Sequence, residues 1–307
     1  MSIERLLLAT DFSPLAARAE EYACSMAASW HIPLTVMTVL EFPTGMDPEY
    51  PVNQQYLAHR MSEASEQLAD FKQRASRRSI TASSRIATGI PSEEITNAAK
   101  AEDADLLVVG TRGKTGLAHV LLGSTAERVI RTAPCPVLAV RMDEGSHERG
   151  VALNSLLVPI DGSDCSLDAL EYAAVVARLA KASIDLLHVL EPVSYGLDFT
   201  LDDAAQRAQT RERIAKQLDQ LCSALSVSGL TAKSRVVGGV PVDSILGQAK
   251  ALSADLIVMG THGRRGLSHA FAGSVTEAVL RRVQCPVLTV RNPKFRPGHR
   301  PLRMNLP

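Results

Sequence analysis

The chain lacks the glycine that would make it a P-loop protein. Residues 110–129 read GTRGKTGLAHVLLGSTAERV, and Gly113-Lys114-Thr115 is how a P-loop ends. The earlier glycine of that motif belongs at position 108, which is Val108. Two further signatures are missing. An adenylating enzyme of the ATP-pyrophosphatase type needs a Ser-Gly-Gly loop after its first strand, and the corresponding stretches here are TDFSP and IDGSD. The His-x-Gly-His signature of nucleotidylyl transferases is absent as well. Neither sign of charge is in excess: 33 Lys and Arg face 33 Asp and Glu. Nothing global therefore pulls the chain toward nucleic acid or marks an acidic solvating tail. No stretch approaches the roughly 18–20 apolar residues of a membrane span. The N-terminal MSIERLLLATDFSP holds only the run Leu6–Ala9 before Asp11, too short for a signal peptide. The five cysteines, Cys24, Cys135, Cys165, Cys222 and Cys285, are odd in number and form no C-x-x-C. A reduced, cytoplasmic setting with buried thiols is expected.

What is present is ordinary in bulk and unusual in arrangement. The 307 residues, 46% apolar and 21% charged, suffice for two soluble domains. Shifted by 150 residues, the sequence aligns with itself without a gap between landmarks. Asp11 falls on Asp161, Gly89 and Pro91 on Gly239 and Pro241, Gly110-Thr111 on Gly260-Thr261, and Gly123-Ser124 on Gly273-Ser274. Cys135-Pro136-Val137-Leu138 falls on Cys285-Pro286-Val287-Leu288. A period this long is a duplicated domain, not a solenoid. The expected domains are 1–144 and 153–292, followed by a basic, proline-rich tail at 293–307 that is expected to be extended.

Within each copy, strand and helix patterns alternate. RLLLAT and SLLVPI read as buried first strands, with helices following from about Pro14 and Asp164. LTVMTVL and IDLLHVL are second strands, and the long charged segments 52–78 and 199–227 have helical spacing and read as solvated faces. SSRIAT and KSRVVG are third strands, after which Gly-x-Pro opens a short helix. DLLVVG and DLIVMG are fourth strands, a helix begins after Gly123 or Gly273, and PVLAV and PVLTV are fifth strands. This predicts an α/β fold of two tandem doubly wound domains, each with a parallel sheet and helices on both faces.

In such sheets ligands bind beyond the carboxyl ends of strands, where strand order reverses. Two loops carry chemistry there: the one after the first strand, with Asp11 or Asp161, and the one after the fourth, with Gly110-x-x-Gly113 or Gly260-x-x-Gly263. Glycines let the backbone approach an anion, and the helix start after Gly123 or Gly273 offers free N–H groups. Arg112, Lys114, His262, Arg264 and Arg265 add charge. Ser124-x-x-Glu127 and Ser274-x-x-Glu277 also match a capping box, so a structural account and a phosphate cradle both fit. His119 and His269 repeat but stand without a second ligand at metal spacing, and a structural role is expected for them. No nucleophile with a base and an orienting group can be assembled from the sequence.

The Asp after the first strand, the Gly-x2-Gly-x9-Gly-Ser pattern after the fourth, and CPVL before the fifth resemble the universal stress protein family, over nearly all of residues 1–292. The resemblance implies five strands per domain in the order 3-2-1-4-5. It also implies pairing of the two fifth strands, so that the tandem chain imitates the family's homodimer, with further homodimerisation open. PVLAV and PVLTV would equally serve as ordinary buried strands. Many family members with this glycine pattern bind ATP, and members lacking it do not. Carried over, Asp11 and Asp161 would hold ribose or a phosphate-bound metal such as Mg, and Val39 and Val189 would offer backbone groups to adenine. Gly110, Arg112, Gly113, Gly123, Ser124 and Thr125 would wrap the phosphates in the first copy. Met259, Gly260, His262, Gly263, Gly273, Ser274, Val275 and Thr276 would do so in the second. The expectation is a cytoplasmic ATP-, ADP- or AMP-binding stress-response regulator with at most slow hydrolysis. The alternative is an interaction scaffold that binds protein partners, lipid or metal.

Overall fold

The structure, a computed structural model, describes residues 2–41, 50–111, 122–141, 151, 153–191, 201–261 and 273–291. The chain divides into two units, Ser2–Val151 and Ala152–Pro307 with Met1. In the first unit the elements run β1 (Leu6–Ala9), α1 (Ala17–Trp30), β2 (Leu34–Leu40), α2 (Pro51–Arg77), β3 (Ala82–Thr88), α3 (Pro91–Ala101), β4 (Leu106–Gly110), α4 (Ser124–Thr132) and β5 (Val137–Val140). In the second they run β6 (Ser155–Pro159), α5 (Asp164–Ala180), β7 (Ser183–Leu190), α6 (Leu201–Val227), β8 (Ala232–Gly238), α7 (Pro241–Ala251), β9 (Leu256–Gly260), α8 (Ser274–Arg282) and β10 (Val287–Val290).

The strand order is β3-β2-β1-β4-β5 in unit 1 and β8-β7-β6-β9-β10 in unit 2, the order that the family resemblance implies. Every pairing within a unit is parallel, for example Leu6 with Leu34 on one side and with Leu106 on the other. The first strands are buried on both faces, which is why they read as unbroken apolar runs: Leu6, Leu7 and Leu8 are at most 2% exposed. Chain direction across the sheet reverses between β1 and β4. The crossovers from β1 to β3 advance one way and those from β3 to β5 the other. Right-handed crossovers then set α1 and α2 on one face and α3 and α4, which pack on each other, on the opposite face.

The duplication extends to backbone conformation. Each left-handed residue among those described has a counterpart 150 positions on: Phe12 and Gly162, His31 and Lys181, Ser79 and Gly229, Gly89 and Gly239, Asp103 and Ser253. Both Gly-x-Pro glycines have φ of 147°, a conformation that side chains rarely adopt, and each leads into a helix with Pro in its first turn.

Three local expectations are corrected. The first helix begins at Ala17, not near Pro14, because Ser13–Ala16 form a turn in which the Ala16 N–H donates to the Ser13 carbonyl. The capping boxes do not form: Gly123 and Gly273 occupy the N-cap positions, Ser124 and Ser274 fall inside the helices, and neither helix has a side-chain cap. The Gly123 N–H donates to Thr111 O at 2.7 Å, and a Cβ on Gly123 would stand 3.3 Å from that same oxygen, a tight contact that glycine avoids. Only Cys24 and Cys135 are buried, and Cys165, Cys222 and Cys285 are partly exposed. Burial pushes the Cys24 thiol up to about 11, so it stays protonated and inert at neutral pH. The tail from 292, the linker 142–150 and both histidines of the His119/His269 pair lie outside the described residues.

Candidate functional site

In unit 1 a cleft of about 380 Å³ opens over the carboxyl ends of β1, β2 and β4. It is bordered by α2 on one side and by the starts of α3 and α4 on the other. Six residues singled out in the sequence line it: Asp11 after β1, Val39 in β2, Gly110 at the end of β4, and Gly123, Ser124 and Thr125 at the start of α4. Arg112 and Gly113 lie outside the described residues. The reversal of chain direction between β1 and β4 is what opens the crevice at this place.

Each wall has its own chemistry. At the α4 end, the N–H groups of Ser124, Thr125 and Ala126 have no partner within the helix, and the dipole adds partial positive charge. Below them Thr111 is 2% exposed, and its Oγ1 has no hydrogen-bond partner among the described residues. Free donors, an unsatisfied hydroxyl and a closely packed glycine cap suit an anionic oxygen. Asp11 is less available than its position suggests. Its Oδ1 accepts the Ser13 N–H at 3.0 Å, closing an Asx turn.

That turn is held from behind. Phe12 sits at φ 55°, its N–H donates to Thr10 Oγ1 at 3.0 Å, and its ring meets Phe71 of α2 edge-on, with centroids 6.5 Å apart. The Thr10 hydroxyl donates to Glu20 of α1 at 2.8 Å, and Arg74 of α2 reaches Glu20 at 3.3 Å. Burial raises the Glu20 carboxyl above its ordinary value, helped by the charge of Asp11 and opposed by Thr10 and Arg74.

The sequence reading missed the α2 wall. Arg60, Glu63, Ala64 and Gln67 all border the cleft, so this stretch of α2 is not merely a solvated face. Their spacing of three, four and seven residues was the available signal, since it puts all four on one side of a helix. A charged helix with few apolar positions hides such a face.

Unit 2 repeats the frame with different fittings. Asp161 Oδ1 accepts both the N–H of Ser163 at 2.9 Å and its hydroxyl at 2.6 Å, and Gly162 takes φ 80° where Phe12 stands in unit 1. Val189 lies in β7, Met259 and Gly260 end β9, and Gly273 caps α8, whose first turn holds Ser274, Val275 and Thr276. His262 and Gly263 lie outside the described residues. The Thr276 hydroxyl is buried and donates to Gly260 O at 2.8 Å, tying helix start to strand end. His188, beside Val189, is buried with Nδ1 2.7 Å from Ile160 O, and it occupies the position of Thr38 in unit 1. A Cβ on Gly260 would lie 2.7 Å from the Cys165 carbonyl oxygen, so close backbone packing alone requires glycine there. Among the described residues no three His, Cys, Asp or Glu gather as a metal site, and no helix is long and apolar enough to cross a membrane.

A duplicated, doubly wound parallel sheet with a glycine-capped helix at each switch point defines a class of small α/β domains. The model of the universal stress protein family matches residues 2–141 and again 153–291, and the chain belongs to that family as a tandem member. It is 28% identical over 289 residues to a universal stress protein of Mycobacterium tuberculosis, covering 86% of this chain and 89% of that one. Over 138 residues, 44% of this chain and 94% of the relative, it is 36% identical to universal stress protein A homolog 1 of Coxiella burnetii. The crystal structure of a universal stress protein from Archaeoglobus fulgidus shares the fold at TM-score 0.72 and 23% identity, over 94% of this chain and 98% of that one.

Proposed function

We propose that the protein is a cytoplasmic stress-response regulator that binds an adenine nucleotide, ATP or its di- or monophosphate, in each unit. The observation that carries this reading is the convergence of Asp11, Val39, Gly110 and Gly123–Thr125, from four separate segments, on one cleft. Adenine lies against Val39, and Asp11 meets the ribose or a phosphate-bound Mg. The phosphates meet the first turn of α4, with Gly110, Gly113 and Arg112 completing the cradle. In unit 2 the same parts are Asp161, Val189, Met259, Gly260, His262, Gly263, Gly273, Ser274 and Val275, with Thr276 fixing the cradle's shape. Bound nucleotide supplies charge that the free N–H groups stabilise, and it biases whichever conformation closes around it. Any hydrolysis is expected to be slow, which a turnover assay of the purified protein with Mg-ATP checks.

The test is to denature freshly purified protein, identify any released nucleotide and count it per chain, then titrate stripped protein with Mg-ATP. Replacing Gly263 and Gly273 with valine is expected to abolish binding at unit 2 and leave unit 1 intact. Unchanged affinity in that variant would remove the cradle assignment. A second reading, an interaction scaffold with no nucleotide, draws support from Gly260, whose glycine is required by packing alone. Protein that carries no nucleotide and takes up none from Mg-ATP would establish it.

A further inference from the structure

The α2 wall differs between the units in a way that bears on which base is accepted, given the nucleotide reading above. Arg60 Nη1 donates to Glu63 Oε2 at 2.9 Å, and His59 Nε2 lies 3.2 Å from Glu63 Oε1. The Arg60 and Glu63 side chains are 37% and 44% exposed, open enough to reach a ligand. Beside them Ala64 is buried and small, leaving room at the cleft wall. Because α2 packs on β2 and β3, this face stands at the end of the cleft formed by Thr38–Glu41, where the proposed pose places the base.

A guanidinium offers only donors and a carboxylate only acceptors, and each carboxylate oxygen takes more than one hydrogen bond. Side by side they complement an edge that carries one donor and one acceptor. Adenine has such an edge, with an exocyclic amino group next to a ring nitrogen. On the same edge guanine presents two acceptors, one of which would face the Glu63 carboxylate. In unit 2, α6 keeps the same frame, but the matching residues are Thr210, Arg213 and Ile214. That face has no carboxylate at these positions, and Ile214, 2% exposed, fills the space that Ala64 leaves.

We propose that Arg60 and Glu63 form the base-reading pair of unit 1, selecting adenine over guanine, and that unit 2 lacks this selection. The experiment titrates the full chain with Mg-ATP and Mg-GTP, in the wild type and in a Gly273→Val background that leaves unit 1 as the binding site. Unit 1 is expected to prefer ATP by about tenfold or more, the worth of one good two-point base contact. Arg60→Ala and Glu63→Ala should each erase that preference, and Glu63→Gln should reduce it. Arg77→Ala, on the exposed end of α2, should leave it unchanged. Transplanting the pair as Thr210→Arg with Arg213→Glu, together with Ile214→Ala to open the wall, should confer the preference on unit 2. If unit 1 binds ATP and loses it in Gly123→Val, yet the ATP-to-GTP ratio ignores Arg60 and Glu63, the pair has no such role and the nucleotide reading stands. If the wild type binds neither nucleotide, both fall.

Discussion

Gly260 and Glu20 show how single residues answer to packing before they answer to a ligand. The oxygen that a Cβ at Gly260 would strike belongs to the backbone of α5, 2.7 Å away, and backbone cannot swing aside as a long side chain can. Gly260→Ala should therefore destabilise the protein by about 1–3 kcal/mol, the usual cost of overpacking, read as a lower urea midpoint. Glu20 makes a pH-dependent claim. Its folded carboxyl is raised above the ordinary 4.5, with burial as the largest cause. A raised carboxyl favours the protonated folded state, so stability is fullest below the unfolded value and declines as pH rises through the folded one. Glu20→Gln keeps an acceptor for the Thr10 hydroxyl and removes the titrating charge. In urea unfolding between pH 4 and 7.5, wild-type stability relative to this variant should decline as pH rises. Equal slopes would mean that Arg74 and Thr10 fully compensate the burial.

At the scale of elements, α2 is the part of the site that the sequence concealed. Strands announce themselves as apolar runs because both faces are covered, and glycine pairs announce the switch-point loops. These features made the parallel sheet and the placement of Asp11, Gly110 and Gly123 readable in advance, whereas the strand order came from the family resemblance. A long charged helix says little about which face turns inward, since its polar residues suit water and a polar cleft equally well. The capping boxes were misread for a related reason: Ser-x-x-Glu is a valid start signal, but close approach of the Thr111 carbonyl gives the cap to Gly123. The α2 wall supplies its own test. Ala64→Ile, which copies Ile214 of unit 2, should lower nucleotide affinity at unit 1 by about tenfold or more, and any fall in the thermal midpoint reports the cost of added bulk at this buried position. An unchanged titration would mean that the ligand does not approach this wall.

For the whole molecule, the proposed site in each unit would make stability depend on ligand. Mg-ATP at 100 times its dissociation constant should add about 2.7 kcal/mol to whichever unit binds it, visible as a rise in its thermal transition. Should the units unfold as separate transitions, Gly123→Val is expected to cancel the rise in one and Gly273→Val in the other. A rise that survives both substitutions would place binding elsewhere.

The left-handed positions described for the two units carry one last consequence. Phe12 and Ser79 hold in unit 1 a backbone turn that unit 2 gives to Gly162 and Gly229. A side chain in that conformation costs about 1 kcal/mol locally but also narrows the range of shapes open to the unfolded chain. The two halves thus fold to one backbone from differently restricted starting ensembles. Their folding rates can diverge even where their finished architecture coincides.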